Sequence, residues 1–139
     1  MTEPIIRMES VFRHYRDGEN TVRALDGIDL KVDAGETVAL MGRSGSGKST
    51  LLHLMGGLDW PTQGRVILAG QPLHALGDEA LTALRLRSIG FVFQFFHLVP
   101  TLTVQENLTL PAELAGMGRA ERLRRARALA ESVDVAGQL

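Results

Sequence analysis

Cysteine is absent from the 139 residues, and lysine is nearly so, with Lys31 and Lys48 the only two among 15 Lys+Arg. Without a thiol there is no disulfide framework, no thiolate zinc site and no cysteine nucleophile. An excess of one charge is missing too, since 16 Asp+Glu leave the chain at a net −1. That balance argues against a partner held by bulk electrostatics, and no nucleic acid is expected. Long hydrophobic runs are also lacking. The longest nearly apolar stretch, Ile89 to Pro100, is about twelve residues, includes Gln94 and His97, and falls short of the roughly 18 that a membrane span needs. The opening Met1-Thr2-Glu3-Pro4-Ile5-Ile6-Arg7 holds only a short apolar pair, so it does not read as a signal peptide, and a cytoplasmic location is expected. What remains is 45% hydrophobic with 15 glycines, which suits an ordered domain, or part of one, rather than a disordered chain.

Periodicity divides the chain into short elements. Ile5–Met8 reads as a strand, followed by a polar turn over Arg16–Asn20. Gly27–Val32 alternates apolar and polar residues as a half-buried strand does. After a turn at Asp33–Glu36, the continuous apolar run Thr37–Met41 suits a strand buried on both faces, as does Ile89–Phe93 further on. Arg65–Ala69 reads as another strand, ending at Gly70-Gln71-Pro72. Helices are expected over Thr50–Met55, Asp78–Arg87 with Asp78 as N-cap, Val104 to about Ala115, and Ala120–Val133. In the last of these, Leu123, Ala126, Ala130 and Val133 share one face, and the surrounding arginines read as a solvated surface. The histidines, His14, His53, His74 and His97, are scattered and lack metal-ligand spacing.

One of the two lysines carries the strongest motif. Gly42-Arg43-Ser44-Gly45-Ser46-Gly47-Lys48-Ser49, with Thr50 next, fits the phosphate-loop pattern G-x-x-x-x-G-K-[ST]. Shuffling this composition would give only about 0.002 such matches. Glycines let the backbone curl so that N–H groups point at a polyphosphate, and the helix that follows adds its N-terminal dipole. Lys48 is placed to reach the β- and γ-phosphates, and the Ser49 hydroxyl to ligate Mg²⁺. The loop lies between an apolar run and a helix, the context such a loop requires. Nucleotide binding through Gly42 to Thr50 follows, with ATP and Mg²⁺ as the expected cofactors. A GTPase would need an Asn-Lys-x-Asp guanine reader, and the sequence has none.

Several further segments discriminate among phosphate-loop proteins: Ala24-Leu25-Asp26-Gly27, Ala34-Gly35-Glu36, Leu58-Asp59-Trp60-Pro61-Thr62-Gln63-Gly64 and Ile89-Gly90-Phe91-Val92-Phe93-Gln94. Together with the loop they resemble the ATP-binding subunit of ABC transporters. The run Phe96 to Asn107, followed by Leu110-Pro111, is similar to the branch that drives macrolide export and lipoprotein release. The resemblance extends from about Ile6 onward and implies an α/β phosphate-loop NTPase core with an antiparallel β subdomain and the start of a helical subdomain. It implies that Tyr15, 27 residues before Gly42, stacks on adenine. An aromatic face suits that role because any base can stack on it. Gln94, 46 residues after Lys48, corresponds to the glutamine that reaches Mg²⁺ and the attacking water, so Lys48 and Gln94 are the expected catalytic pair and Ser49 and Gln94 the metal ligands. Phe95, Phe96, Leu98 and Val99 crowd a loop-like stretch ending at Pro100, and the resemblance implies a groove there for a transmembrane permease subunit.

The family pattern includes parts for which this sequence has no match. There is no L-S-G-G-Q signature, no apolar strand ending in Asp-Glu after Gln94, and no histidine beyond such a strand. The expectation is therefore that residues 1–139 form the N-terminal portion of a single nucleotide-binding domain, truncated before the signature, with little turnover alone. The full-length domain would form a homodimer at the cytoplasmic face of the membrane. The alternative is a truncated module or decayed gene product that binds ATP without turnover.

Overall fold

Long strands form in place of the short ones expected. β1 (Ile6–Asp17) and β2 (Asn20–Val32) pair as an antiparallel hairpin in a computed structural model that describes residues 3–138. Met1, Thr2 and Leu139, the ends of the expected 1–139 domain, lie outside the described residues. The turn expected over Arg16–Asn20 contracts to Gly18-Glu19, because Arg16 still pairs with Thr21 and Asp17 with Asn20. On its other edge β1 pairs with β3 (Gln63–Leu68), which pairs with the short β4 (Gln71–Pro72). The sheet order is β2-β1-β3-β4, antiparallel throughout. Register slips near Ser10 mark a bulge, and the Ser10 N–H donates instead to Asp29 Oδ1 at 2.8 Å.

α1 (Lys48–Met55) lies over β1, β2 and β3 and buries Leu51 and Leu54, three residues apart on one face. Leu54 joins Met8 and Val11 at the centre of this core, each fully buried and contributing roughly 1.5–3 kcal/mol of transfer free energy. α2 (Asp78–Ser88) buries Leu81 and Leu84 as their spacing predicts. Its first bond runs from Leu81 N–H to the Gly77 carbonyl at 2.9 Å. Gly77, not Asp78, thus occupies the cap position, and Asp78 stands in the first turn with its charge toward the positive end of the helix.

The chain forms two compact units, Met1–Arg85 and Leu86–Leu139. The second contains α3 (Val104–Leu114) and α4 (Arg119–Ser132), which pack on each other and bury Thr109, Ala126 and Ala130. Val133, expected on the buried face of α4, is exposed because the helix stops one residue before it. Four arginines of α4 are ion-paired: Arg124 and Arg125 with Glu121, Arg127 with Glu131, and Arg122 with Glu113 of α3.

Two expected strands do not form. Thr37–Met41 and Ile89–Phe93 carry no regular secondary structure and are unpaired among the described residues, with Met41 91% exposed and Val92 fully so. A strand buried on both faces exists only with ladder partners and covering layers, and the described residues supply neither to these two runs.

Candidate phosphate-binding site

β2 ends at Val32, and the chain turns through Asp33–Glu36, where Glu36 N–H donates to the Asp33 carbonyl at 3.1 Å and the Glu36 carboxylate accepts from Asp33 N–H at 2.9 Å. It then passes through the unpaired Thr37–Met41 run into the glycine loop. Two contacts explain why glycine stands at particular points. At Gly47, φ is +88°, and a Cβ would come within 2.3 Å of the Ala24 carbonyl on β2. At Gly42, a Cβ would strike Ser46 Oγ at 2.6 Å. The loop is thus wound tightly on itself and seated on β2. Ser46 N–H closes a turn onto the Arg43 carbonyl at 3.2 Å, and Leu51 N–H reaches the Gly47 carbonyl at 2.8 Å as the first bond of α1.

Lys48 fills the centre of this winding. Its ammonium donates to the carbonyls of Gly42 at 2.8 Å and Arg43 at 2.7 Å, with Ser46 Oγ further off at 3.4 Å. α1 therefore begins inside the loop at Lys48, two residues earlier than expected, with no acid in its first turn. Free N–H groups at a helix start, a fixed cation and no opposing carboxylate form a setting for an anion. A hollow of about 250 Å³ opens here, lined by Ser44, Gly45, Gly47, Lys48, Ser49 and Thr50 on one side and Val22, Arg23 and Ala24 of β2 on the other.

Tyr15 belongs to the same unit. It pairs across the hairpin with Val22, which lines the hollow, and directly opposed residues of an antiparallel pair share a face of the sheet. Its hydroxyl donates to Asp59 Oδ2 at 2.8 Å, and the Arg13 guanidinium lies 4.3 Å from its ring centroid. Asp59 is the residue that sequence reasoning passed over. The available signal was the i, i+2 spacing of Arg13 and Tyr15, which brings both to one face of a strand. Burial pushes the Asp59 carboxyl up, but hydrogen bonds from Tyr15 and Trp60 N–H, with the charge and hydrogen bonds of Arg13, outweigh it and hold the group below the usual carboxylate range.

Gln94 lies in the other unit, exposed at a bend. Around it Phe91 and Phe93 stack with centroids 5.4 Å apart, and His97 packs on Phe93 at 4.4 Å. Phe95, Phe96 and Leu98 project into solvent, Phe96 at 89% exposure. Asn107 of α3 anchors the far end of this stretch, accepting from Val99 N–H at 2.9 Å and donating to the carbonyls of Val99, Leu102 and Thr103 at 3.0–3.2 Å.

A glycine loop wound about a lysine at the start of a helix defines a phosphate-loop nucleotide-binding protein. Residues 25–138 match the family model described as ABC transporter, and the chain belongs to that family. It is 46% identical over 139 residues to the lipoprotein-releasing system ATP-binding protein LolD of Xylella fastidiosa, covering 100% of this chain and 58% of that protein. It is 46% identical over 136 residues to the macrolide export ATP-binding/permease protein MacB of Brucella abortus, covering 98% of this chain and 21% of that protein. The chain thus spans little more than half the length of the first of these relatives. Among solved structures, the ATP-binding cassette MJ0796 in a dimeric post-hydrolysis state bound to ADP and Pi matches with a TM-score of 0.83 and 41% identity, covering 91% of this chain and 57% of that one. The fold is that of part of such a cassette.

Proposed function

We propose that this chain is the ATP-binding portion of a transporter ATPase that couples ATP binding and hydrolysis to export or extraction of a substrate at the cytoplasmic membrane. The observation that carries this reading is Lys48, held at the centre of a loop whose Gly47 leaves no room for a side chain against β2. The residues fit a nucleotide polyphosphate with its metal. The N–H groups of the loop and of the first turn of α1 bind the phosphates, and the long contact from Lys48 to Ser46 Oγ at 3.4 Å is the one a phosphate oxygen displaces most easily. By the family resemblance, Ser49 and Gln94 would ligate the Mg²⁺, Tyr15 would stack on the base, and Gln94 would orient the attacking water. Mg²⁺ neutralises charge on the phosphates when bound.

Phosphoryl transfer needs several charge-stabilising groups together, and Lys48, Ser49 and Gln94 alone supply binding with turnover near background for these residues. In the working assembly two such domains pair, and a permease subunit sits against Phe95–Pro100, which places the protein peripherally on the cytoplasmic face. The names of the LolD and MacB relatives and the dimeric state of MJ0796 support this reading. Equilibrium binding of ATP with and without Mg²⁺ tests it. Mg²⁺ should tighten ATP binding by about tenfold in the parent chain, and Ser49→Ala and Gln94→Ala should each lose most of that gain. Mg²⁺ dependence that survives both substitutions would contradict the assignment.

A further inference from the structure

Asp59 follows α1 and is no part of the phosphate loop, yet its carboxylate gathers four donors. Tyr15 Oη–H reaches Oδ2 at 2.8 Å, Arg13 Nε reaches Oδ2 at 2.9 Å, Arg13 Nη2 reaches Oδ1 at 2.8 Å, and Trp60 N–H reaches Oδ1 at 2.8 Å. The Arg13–Asp59 pair is a bidentate fork, with both side chains about three-quarters buried. Held by that fork, the guanidinium covers one face of the Tyr15 ring at 4.3 Å from the centroid. Tyr15 is therefore fixed twice, at its hydroxyl by Asp59 and on one face by Arg13. A tyrosine on a strand beside an open hollow would otherwise have to be ordered by its ligand, and that ordering weakens binding.

We propose that Asp59 and Arg13 are positioning residues that pre-orient Tyr15, so that one ring face is backed by the guanidinium and the other receives the nucleobase. The proposal rests on the nucleotide-binding reading above. It makes a demand that a merely structural ion pair would not make: the pair acts on the base end of the ligand and leaves the phosphate end alone. The cross-strand partner of Tyr15, Val22, lines the hollow of the phosphate loop, so the two ends of one ligand fall on one sheet face.

Binding of ATP and of inorganic tripolyphosphate to the whole chain separates the two demands. Asp59→Ala should weaken ATP about tenfold, within the range of one base–aromatic stack, and leave tripolyphosphate within about twofold of the parent. In a Tyr15→Ala background the same substitution should have no further effect on ATP. Arg13→Lys keeps the charge but loses the fork, and should weaken ATP selectively in the same way; it decides the matter should Asp59→Ala not fold. Equal loss of both ligands in a folded variant would overturn the proposal, as would unchanged ATP affinity alongside a loss in Tyr15→Ala. A parent chain that binds neither ligand would instead overturn the nucleotide reading, and this proposal with it.

Discussion

At the residue scale, the chemistry gathers on few side chains because the composition supplies few. Lys48 is one of two lysines and Tyr15 the sole tyrosine, and each is held by partners distant in sequence or bent back from its own loop. Asp59 links this scale to stability. Its folded carboxyl lies below the ordinary carboxylate value while the unfolded one titrates normally, so its contribution is present above about pH 4 and is lost as pH falls through the depressed folded value. Denaturant midpoints measured from pH 7 to pH 2 should fall more steeply for the parent than for Asp59→Asn. The difference should be on the order of 1 kcal/mol at neutral pH and vanish at the acid end. Parallel curves would mean the carboxylate makes no net contribution.

At the element scale, α3 shows how a short helix is fixed locally. Thr103 Oγ1 accepts from Glu106 N–H at 3.2 Å, and the Glu106 carboxylate accepts from Thr103 N–H at 2.8 Å, a reciprocal cap. These bonds from Thr103, backbone first and hydroxyl second, hold the Glu106 carboxyl below its ordinary range. Replacing Thr103 with Ala should cost about 1 kcal/mol, read as a lower thermal midpoint and faster amide exchange across Val104–Leu108. No change in exchange there would show that packing against α4 alone sets the helix start. The helices were legible in the sequence to within about two residues because caps and spacing are local signals, as at Leu81 and Leu84. The length of β1 was not, since a bulge at Ser10 interrupts the alternation, and the acceptor that takes up the Ser10 N–H, Asp29 Oδ1, lies on another strand.

At the scale of the whole molecule, legibility follows the range of the interactions. The phosphate loop could be read outright because its pattern is contiguous in sequence, running from Gly42 through Gly47 to a lysine at the start of a helix. Asp59 could not, because its carboxylate meets Tyr15 and Arg13 across 44 and 46 residues of chain. Thr37–Met41 and Ile89–Phe93 read as strands, but an apolar run cannot announce whether its ladder partners are present, and among the described residues these two stay unpaired. Phe95 and Phe96, next to the second run, stay exposed as well.

In the proposed function, Lys48 and its loop hold the polyphosphate of ATP. Calorimetric titration of the parent chain and of Lys48→Ala with Mg²⁺·ATP tests it directly. Saturable binding by the parent between about 1 μM and 1 mM, weakened by at least tenfold in Lys48→Ala at unchanged thermal stability, is the predicted result. Equal affinity in the two chains would contradict the account.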